Sequence, residues 1–446
     1  MGRIVYFSFP AHGHINPTLP VIRELAGRKE QVFYFSTCQF GRAIGETGAA
    51  FCPYTSGLRM PEHGPGPFAQ LSTTIETLLE FTCAVLDVHL EQVKLLRPTH
   101  IMYDSFAPWG RLFAQLLRLP SIASVPSILV NGAIDRQYGA GPGRSPEDPR
   151  LTPQWCASIR SRCHTRLRPY NLPEPLSPTQ LLQTYGDLNV VYTSRLFQPL
   201  AECFDRRRFQ FVGPCFEFRP DAPSFPFERL DDRPLVLVSL GTVYGDRPDF
   251  IGSCLEELAG APWQVVLSAG SDFDIEDCGL PKNVIVRPFV PQIEVLRRCA
   301  AFVTHGGMNS VQEALYYGVP LVMAPQAADQ FWISARASQL GAAVVLDPPR
   351  MKAGAIRASV AKVLSGERYT SAAARIARSL HAAGGHAKAA DEIQGFVART
   401  SPAGLSGTFA AGKCLAGEQD KDEKRARLGD RVSAPAVVTG IDWKAT

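Results

Sequence analysis

The sequence lacks the features that mark a membrane protein or a disulfide-stapled secreted protein. No apolar run approaches the roughly 18 residues that a membrane-spanning helix needs. The first apolar stretch, Ile4–Phe9, is too short for the core of a signal peptide. The 11 cysteines form no C-x-x-C pair, so we expect free thiols in a reducing cytoplasm. The neighbours Cys163 and His164 are interpreted as part of a helix, not as half of a metal site.

Three further absences restrict the function. The net charge is only +4 over 446 residues and no lysine-rich block occurs, which argues against a nucleic-acid partner. No early strand runs into a G-x-G-x-x-G loop, so a nicotinamide-binding domain lacks its pyrophosphate loop. The acidic triplet Asp272–Asp274 has the D-x-D spacing of a metal motif, but it lies in a polar loop without further ligands. We therefore expect no bound metal and no cofactor.

The composition that is present, 45% hydrophobic and 20% charged, is typical of a globular protein with a substantial core. Short apolar segments alternate with longer amphipathic ones, a rhythm that predicts parallel strands joined by helices, an α/β fold. In the first half of the chain the predicted strands are Ile4–Phe9, Gln31–Ser36, His100–Tyr103 and Ser121–Val125.

Composition changes along the chain predict the domain organisation. Residues 1–210 form one Rossmann-like domain, and a proline-rich linker covers 211–234. A second Rossmann-like domain spans 235–385, followed by a terminal helix at 386–399 that we expect to pack back on the first domain. Residues 400–446, rich in small and charged residues, are expected to form a disordered tail.

The stretch from Phe289 to Gln330 is the most informative part of the chain. A strand, Ala301–Thr304, leads into His305-Gly306-Gly307, and a helix follows at once. Free N–H groups and the positive end of the helix dipole point from such a turn, which favours a bound anion. Taken alone, such a turn is more often an ordinary capped one. Two polar segments flank it in the sequence: the turn at Gln292 and the loop that ends in Asp329-Gln330.

The motifs V-P-Q, T-H-G-G-x-N-S, x-x-E-A-L, G-V-P and D-Q stand here in register. With these motifs the segment resembles the donor-binding box of the UDP-dependent glycosyltransferases. In type it is most similar to the bacterial macrolide and natural-product enzymes. Phe289 stands where plant members have Trp, and the box is shorter between Gln292 and His305, which disfavours the plant subgroup. The resemblance implies a GT-B fold, in which two Rossmann-like domains face each other across a cleft.

The resemblance also implies roles for residues of the box. Backbone at Val290 and the amide of Gln292 would read the uracil, and Glu313 would hold the ribose hydroxyls. Asp329 and Gln330 would hold the sugar hydroxyls, with glucose favoured. Thr242 would contact the phosphate or the sugar from the start of the second domain. The residues implied at the diphosphate are His305, Gly306, Gly307, Asn309 and Ser310.

A candidate base lies at the end of the first strand. The family's G-H-x-N-P motif matches Gly13–Pro17 and nominates His14, with His12 as a flanking residue. Imidazole suits removal of a hydroxyl proton at neutral pH. Asp104, in the family's D-x-F context, would orient that imidazole. The plain alternatives are that both side chains merely cap the helices that follow them.

The expected reaction is the inverting, metal-independent transfer of a hexose from a UDP-sugar to a hydroxyl of a small hydrophobic acceptor. Phenolic or flavonoid, macrolide and terpenoid acceptors all fit. By the resemblance, the proline-rich excursion at 135–180 helps to build the acceptor pocket. Two alternative functions are a UDP-sugar 2-epimerase and a non-catalytic sugar-nucleotide-binding subunit. The pair His14 and Asp104 argues against both. Candidate acceptor walls are Phe68, Phe81, Phe106, Trp109 and Trp155.

Overall fold

The computed structural model describes nine segments of the chain, and the statements below concern these alone. Predictions made for Phe68, Thr242, Asp272–Asp274 and nearly all of the tail lie outside the described residues. So does part of the 135–180 excursion. The described segments are 2–55, 71–130, 152–172, 176–216, 223–241, 248–270, 280–326, 329–347 and 352–401.

The first sheet has seven parallel strands in the order β3-β2-β1-β4-β5-β6-β7. Its order reverses between β1 and β4, and ligands bind at such switch points, beyond the carboxyl ends of the strands. The strands are β1 Arg3–Phe7, β2 Gln31–Ser36, β3 Ala50–Pro53, β4 His100–Asp104, β5 Ser121–Val125, β6 Leu188–Val191 and β7 Phe209–Phe211. The α-helices of this half are α1 His12–Ile15, α2 Leu19–Gly27, α3 Gly41–Gly45, α4 Leu71–Leu95, α5 Pro108–Leu117, α6 Pro153–Leu167 and α7 Pro178–Leu182.

The second sheet has six parallel strands in the order β10-β9-β8-β11-β12-β13. These are β8 Leu235–Ser239, β9 Gln264–Ser268, β10 Val284–Arg287, β11 Cys299–Thr304, β12 Leu321–Met323 and β13 Ala343–Val345. The accompanying α-helices are α8 Pro248–Leu258, α9 Gln292–Leu296, α10 Met308–Tyr316, α11 Gln330–Gln339, α12 Ala355–Leu364, α13 Glu367–Ala382 and α14 Gly385–Thr400.

The first strand shows why the apolar segments are continuous. Side chains alternate between the two faces of a strand. Accordingly Val5 and Phe7 pack into the core under α4 and α5, while Ile4 and Tyr6 pack into the core under α2. All four side chains are fully buried. A parallel sheet covered by helices on both faces requires this pattern.

The last helix returns to the first domain. Val397 of α14 shares the hydrophobic cluster of α2, and Arg28 Nη1 donates to Asp391 Oδ1 at 2.6 Å. At the end of α14, Thr400 Oγ1 lies 2.8 Å from His100 Nε2. Burial lowers the pKa of His100 to about 4, so its ring is neutral near pH 7 and is held between hydroxyl groups. No helix within the described segments is both long and apolar enough to cross a membrane.

Candidate active site between the two sheets

His14 and Asp104 meet at the switch point of the first sheet. β1 and β4 are neighbours, so the segments that follow them leave the same edge. His14 lies in the short helix after β1, and its Nδ1 is 3.0 Å from Asp104 Oδ2 and 3.1 Å from Oδ1. Asp104 ends β4, is fully buried, and also accepts the N–H of Phe106 at 2.8 Å. Because the carboxylate takes Nδ1–H, the free lone pair is on Nε2, which has no partner among the described residues.

The surroundings of His14 make its imidazole more basic than usual. Burial lowers the pKa of His14, but the charge and hydrogen bond of Asp104 and the charge of Asp329 outweigh it, so the pKa lies above its ordinary value. The rings of Phe9 and Phe106 flank the imidazole, at centroid distances of 4.8 and 5.0 Å. Phe9 was missed as a site residue, although its place at the carboxyl end of the predicted strand Ile4–Phe9 could have pointed to it.

Opposite this pair, the second domain presents the start of α10. Gly307 occupies the N-cap and no side chain caps the helix. Val311 is the first residue whose N–H bonds within the helix, to Gly307 O, so the earlier N–H groups remain for an anion. Asn309 Nδ2 donates across the cleft to Gly13 O at 3.1 Å. This places the positive helix end beside the residue that precedes His14.

His305 is enclosed by glycines. A Cβ atom at Gly307 would lie 2.4 Å from His305 Nε2, and one at Gly241, where φ is +78°, would lie 2.7 Å from Cε1. Real Cβ atoms do not approach so closely, so both positions exclude larger residues as long as the ring stays in place. Burial lowers the pKa of His305 to about 4. The side chain is therefore a neutral imidazole at neutral pH.

Residues that the resemblance assigns to the nucleoside also lie together. Gln292 is the first residue of helix α9, where a turn was expected. Its Nε2 donates to Glu313 Oε2 at 2.5 Å and lies 3.4 Å from Ser310 Oγ. Glu313 is buried, whereas the ring of Phe289, adjacent to Val290, is 50% exposed. The half-exposed phenyl ring has a free face on which a planar base could stack, while the amide of Gln292 and the carboxylate of Glu313 carry the polar atoms that suit a base and a ribose.

Asp329, which the resemblance assigns to the donor sugar, contacts the first domain across the cleft. Asp329 Oδ2 accepts a hydrogen bond from Ser127 Oγ of the first domain at 2.5 Å. Burial raises the pKa of Asp329, while the Ser127 bond and the nearby His14 act in the opposite direction. Gln330 is buried and its Oε1 accepts the N–H of Gln326 at 2.9 Å, so this oxygen holds the loop together. Ser127 was not predicted, although it follows β5 much as His14 follows β1.

The predicted acceptor residues that the structure describes lie in three places. Phe106 lies beside the imidazole of His14, as described. Phe81 and Trp109 instead pack against each other in the first domain's core, with ring centroids 4.8 Å apart. Trp109 is fully buried and donates from Nε1 to Tyr54 Oη at 3.0 Å, so it offers no surface to an acceptor. Trp155 lies on α6 and donates from Nε1 to Glu76 at 3.2 Å.

The part of the chain that the structure describes contains no group of three His, Cys, Asp or Glu side chains that could hold a metal ion. Its cysteines are free thiols, and Cys163 is buried in α6 beside His164, as the helical interpretation predicted.

Comparison with known proteins decides the family. Residues 254–393 match the profile described as the C-terminal domain of erythromycin biosynthesis protein CIII-like proteins. The protein named uncharacterized UDP-glucosyltransferase YojK, of Bacillus subtilis strain 168, is 32% identical over 398 residues, which cover 88% of this chain and 97% of that protein. The chain belongs to the family 1 UDP-glycosyltransferases.

Within this family the glycosyltransferase is of the macrolide and natural-product type. The demethyllactenocin mycarosyltransferase of Streptomyces fradiae is 31% identical over 414 residues, covering 89% of this chain and 87% of that enzyme. The crystal structure of the kitacinnamycin glycosyltransferase superposes with a TM-score of 0.76 at 30% identity, covering 90% of this chain and 99% of that one. The predicted GT-B fold of two Rossmann-like domains is confirmed.

Proposed function

We propose that this glycosyltransferase moves a hexose, with glucose favoured, from a UDP-sugar to a hydroxyl of a hydrophobic acceptor with inversion of configuration. The observation that carries the proposal is the bond between His14 and Asp104. It is placed opposite the uncapped start of α10 and the carboxylate of Asp329. In the proposal, the base His14 thus faces a diphosphate site at the start of α10 and the sugar ligand Asp329 across one cleft.

In the proposed step, Nε2 of His14 takes the proton of the acceptor hydroxyl while the acceptor oxygen forms a bond to the anomeric carbon. The bond from that carbon to the phosphate oxygen breaks, and UDP leaves with the electron pair. Asp104 keeps Nδ1 protonated and stabilises the imidazolium that forms. A single displacement from the face opposite to UDP converts an α-linked donor into a β-glycoside.

The departing diphosphate is stabilised by this chain's own groups in the proposal. The free N–H groups at the start of α10 and the helix dipole lie where negative charge develops. His305, neutral and buried, adds a hydrogen bond without a competing charge. These groups supply the stabilisation for which other transferases use a divalent ion, so we propose that the reaction needs no metal.

The second-domain side of the cleft indicates the donor, and the first-domain side indicates the acceptor. Gln292, Glu313 and Phe289 suit a uracil and a ribose, and the Bacillus subtilis relative carries the name of a UDP-glucosyltransferase. Phe9 and Phe106 make the surroundings of the base apolar, which favours a hydrophobic acceptor. The relative from Streptomyces fradiae is named a demethyllactenocin mycarosyltransferase, and we place this enzyme's acceptors among macrolides, phenolics and terpenoids.

The test is incubation of the protein with UDP-glucose and a panel of macrolides, flavonoids and terpenoids, with and without EDTA. The expected result is the mass gain of one hexose on at least one acceptor, unaffected by the chelator. The proton NMR coupling of the new anomeric centre should show a β-linkage. Bound UDP without transfer to any acceptor would favour a sugar-nucleotide-binding subunit, and appearance of an epimerised UDP-sugar would favour a 2-epimerase.

A further inference from the structure

Helix α11 of the second domain is fastened to the first domain near both of its ends. At its amino end, Asp329 accepts the hydrogen bond from Ser127. Towards its carboxyl end, the guanidinium of Arg336 donates to main-chain carbonyls of the first domain. Nε reaches Phe197 O at 2.9 Å, and Nη2 reaches Leu196 O at 2.7 Å. The orientation of α11 is therefore set from the opposite wall of the cleft.

The two first-domain segments that hold α11 are joined to each other. The side chain of Gln198, which is buried, accepts the N–H of Leu129 at 2.9 Å and donates to its carbonyl oxygen at 3.0 Å. Leu129 lies two residues after Ser127, in the segment that follows β5. The contacts thus connect Asp329 to Arg336 through the first domain. Asp329 binds Ser127, the neighbouring Leu129 binds Gln198, and the carbonyl oxygens of residues 196–198 accept from Arg336.

Apolar packing also holds α11 against the first domain. Ile128 and Phe197 are first-domain residues by position, yet both are buried in the hydrophobic cluster of the second domain. Trp332 of α11 packs against the clusters of both domains. This packing holds the helix close, but apolar contacts have little directional preference. The planar guanidinium, with donors in fixed directions, is the group that fixes how the helix is rotated.

We infer that Arg336 is a positioning residue for sugar transfer, which holds α11 on the segment 196–198 so that Asp329 faces His14. The inference rests on the proposed function, because it takes Asp329 as a ligand of the donor sugar. The residues proposed to bind the nucleotide lie on helices other than α11, with Gln292 on α9 and Glu313 on α10. Loss of Arg336 should therefore separate transfer from nucleotide binding.

The test is Arg336→Ala, measured for UDP affinity by calorimetry and for transfer by steady-state kinetics. UDP affinity should stay within about twofold of wild type, while kcat falls and the KM for the UDP-sugar rises. A combined loss of about tenfold or more in kcat/KM is expected, since misplacing a reacting group by about 1 Å can lower rates by about 10²-fold. Arg336→Lys should recover part of the loss, because an ammonium can donate to one of the carbonyls.

A matched control is Arg357→Ala. Its Nη1 also donates to a main-chain carbonyl, Glu257 O at 3.5 Å, but this contact joins α12 to α8 within the second domain, so this variant should keep wild-type kinetics. Wild-type kcat and KM in Arg336→Ala would overturn the inference, and so would an equal loss of UDP affinity. If Arg336→Ala is insoluble, Arg336→Lys and Arg336→Gln replace it, and failure of all three to fold would assign the contact to folding alone. Absence of transfer by the wild type would instead refute the proposed function.

Discussion

Replacing His14 with alanine is expected to lower the turnover number by roughly 10²–10⁴-fold, the usual contribution of a general base. The variant keeps the start of α10, Gln292 and Glu313, so its affinity for UDP should match that of the wild type. The reason for the loss is that the acceptor hydroxyl then has no group beside it to take its proton. Steady-state transfer and calorimetric UDP binding, measured on the same preparation, check both parts.

The flanking histidine supplies the control. His12 lies on the same short helix and is exposed, with its ring 5.0 Å from that of Phe40. His12→Ala should therefore retain most of the wild-type turnover. Unchanged turnover in His14→Ala would remove His14 from the mechanism. An equal loss in both variants would show that the helix matters as a whole and that no single imidazole acts as the base.

Replacing Gly307 with alanine is expected to weaken UDP binding by about 10- to 100-fold, which corresponds to losing one hydrogen bond to a charged group. The added Cβ would lie 2.4 Å from His305 Nε2, so the ring or the start of α10 must move. Either movement displaces the groups that hold the diphosphate. Calorimetry with UDP measures the effect directly, without requiring a known acceptor.

Gly252→Ala is the matched control for this change. Gly252 lies on helix α8 of the same domain, and a Cβ there would meet no atom within 4 Å. Alanine is favoured over glycine inside a helix, so this variant should be at least as stable as the wild type and should bind UDP normally. Wild-type UDP affinity in Gly307→Ala would contradict the assignment of this turn to the diphosphate.

The sequence predicted those parts of the site that follow from local order along the chain or from the regular geometry of a parallel sheet. The approach of His14 to Asp104 follows from two strand ends at one edge of a parallel sheet. The turn from Thr304 into α10 follows from its glycines and from the periodicity of the flanking segments. Strands β2 and β5 have the predicted bounds, because their apolar runs end at clear breaks. In the turn and the two strands, neighbours in sequence decide the conformation. His14 and Asp104 are 90 residues apart, and the regular order of a parallel sheet brings them together.

Features that depend on distant parts of the chain could not be predicted in this way. Ser127 and Asp329 are 202 residues apart, and nothing in either segment specifies the other. Aromatic residues do not reveal whether they line a pocket or fill a core, which is why Trp109 was a candidate wall and is in fact buried. Strand β3 was missed because it is short and ends in Pro53. That proline is tolerated because β3 lies at the edge of the sheet.

The most direct test of the account is the pH dependence of kcat/KM for the wild type and for His14→Ala, with an acceptor that carries an alcohol. His14 must be neutral to act as a base, and its pKa is raised above 6.5. Activity of the wild type should therefore fall as the pH falls through a value above 6.5, and be constant at higher pH. The residual activity of His14→Ala should lack this acid limb. A wild-type profile without the limb, or a limb that persists in the variant, would contradict the assignment of His14 as the base.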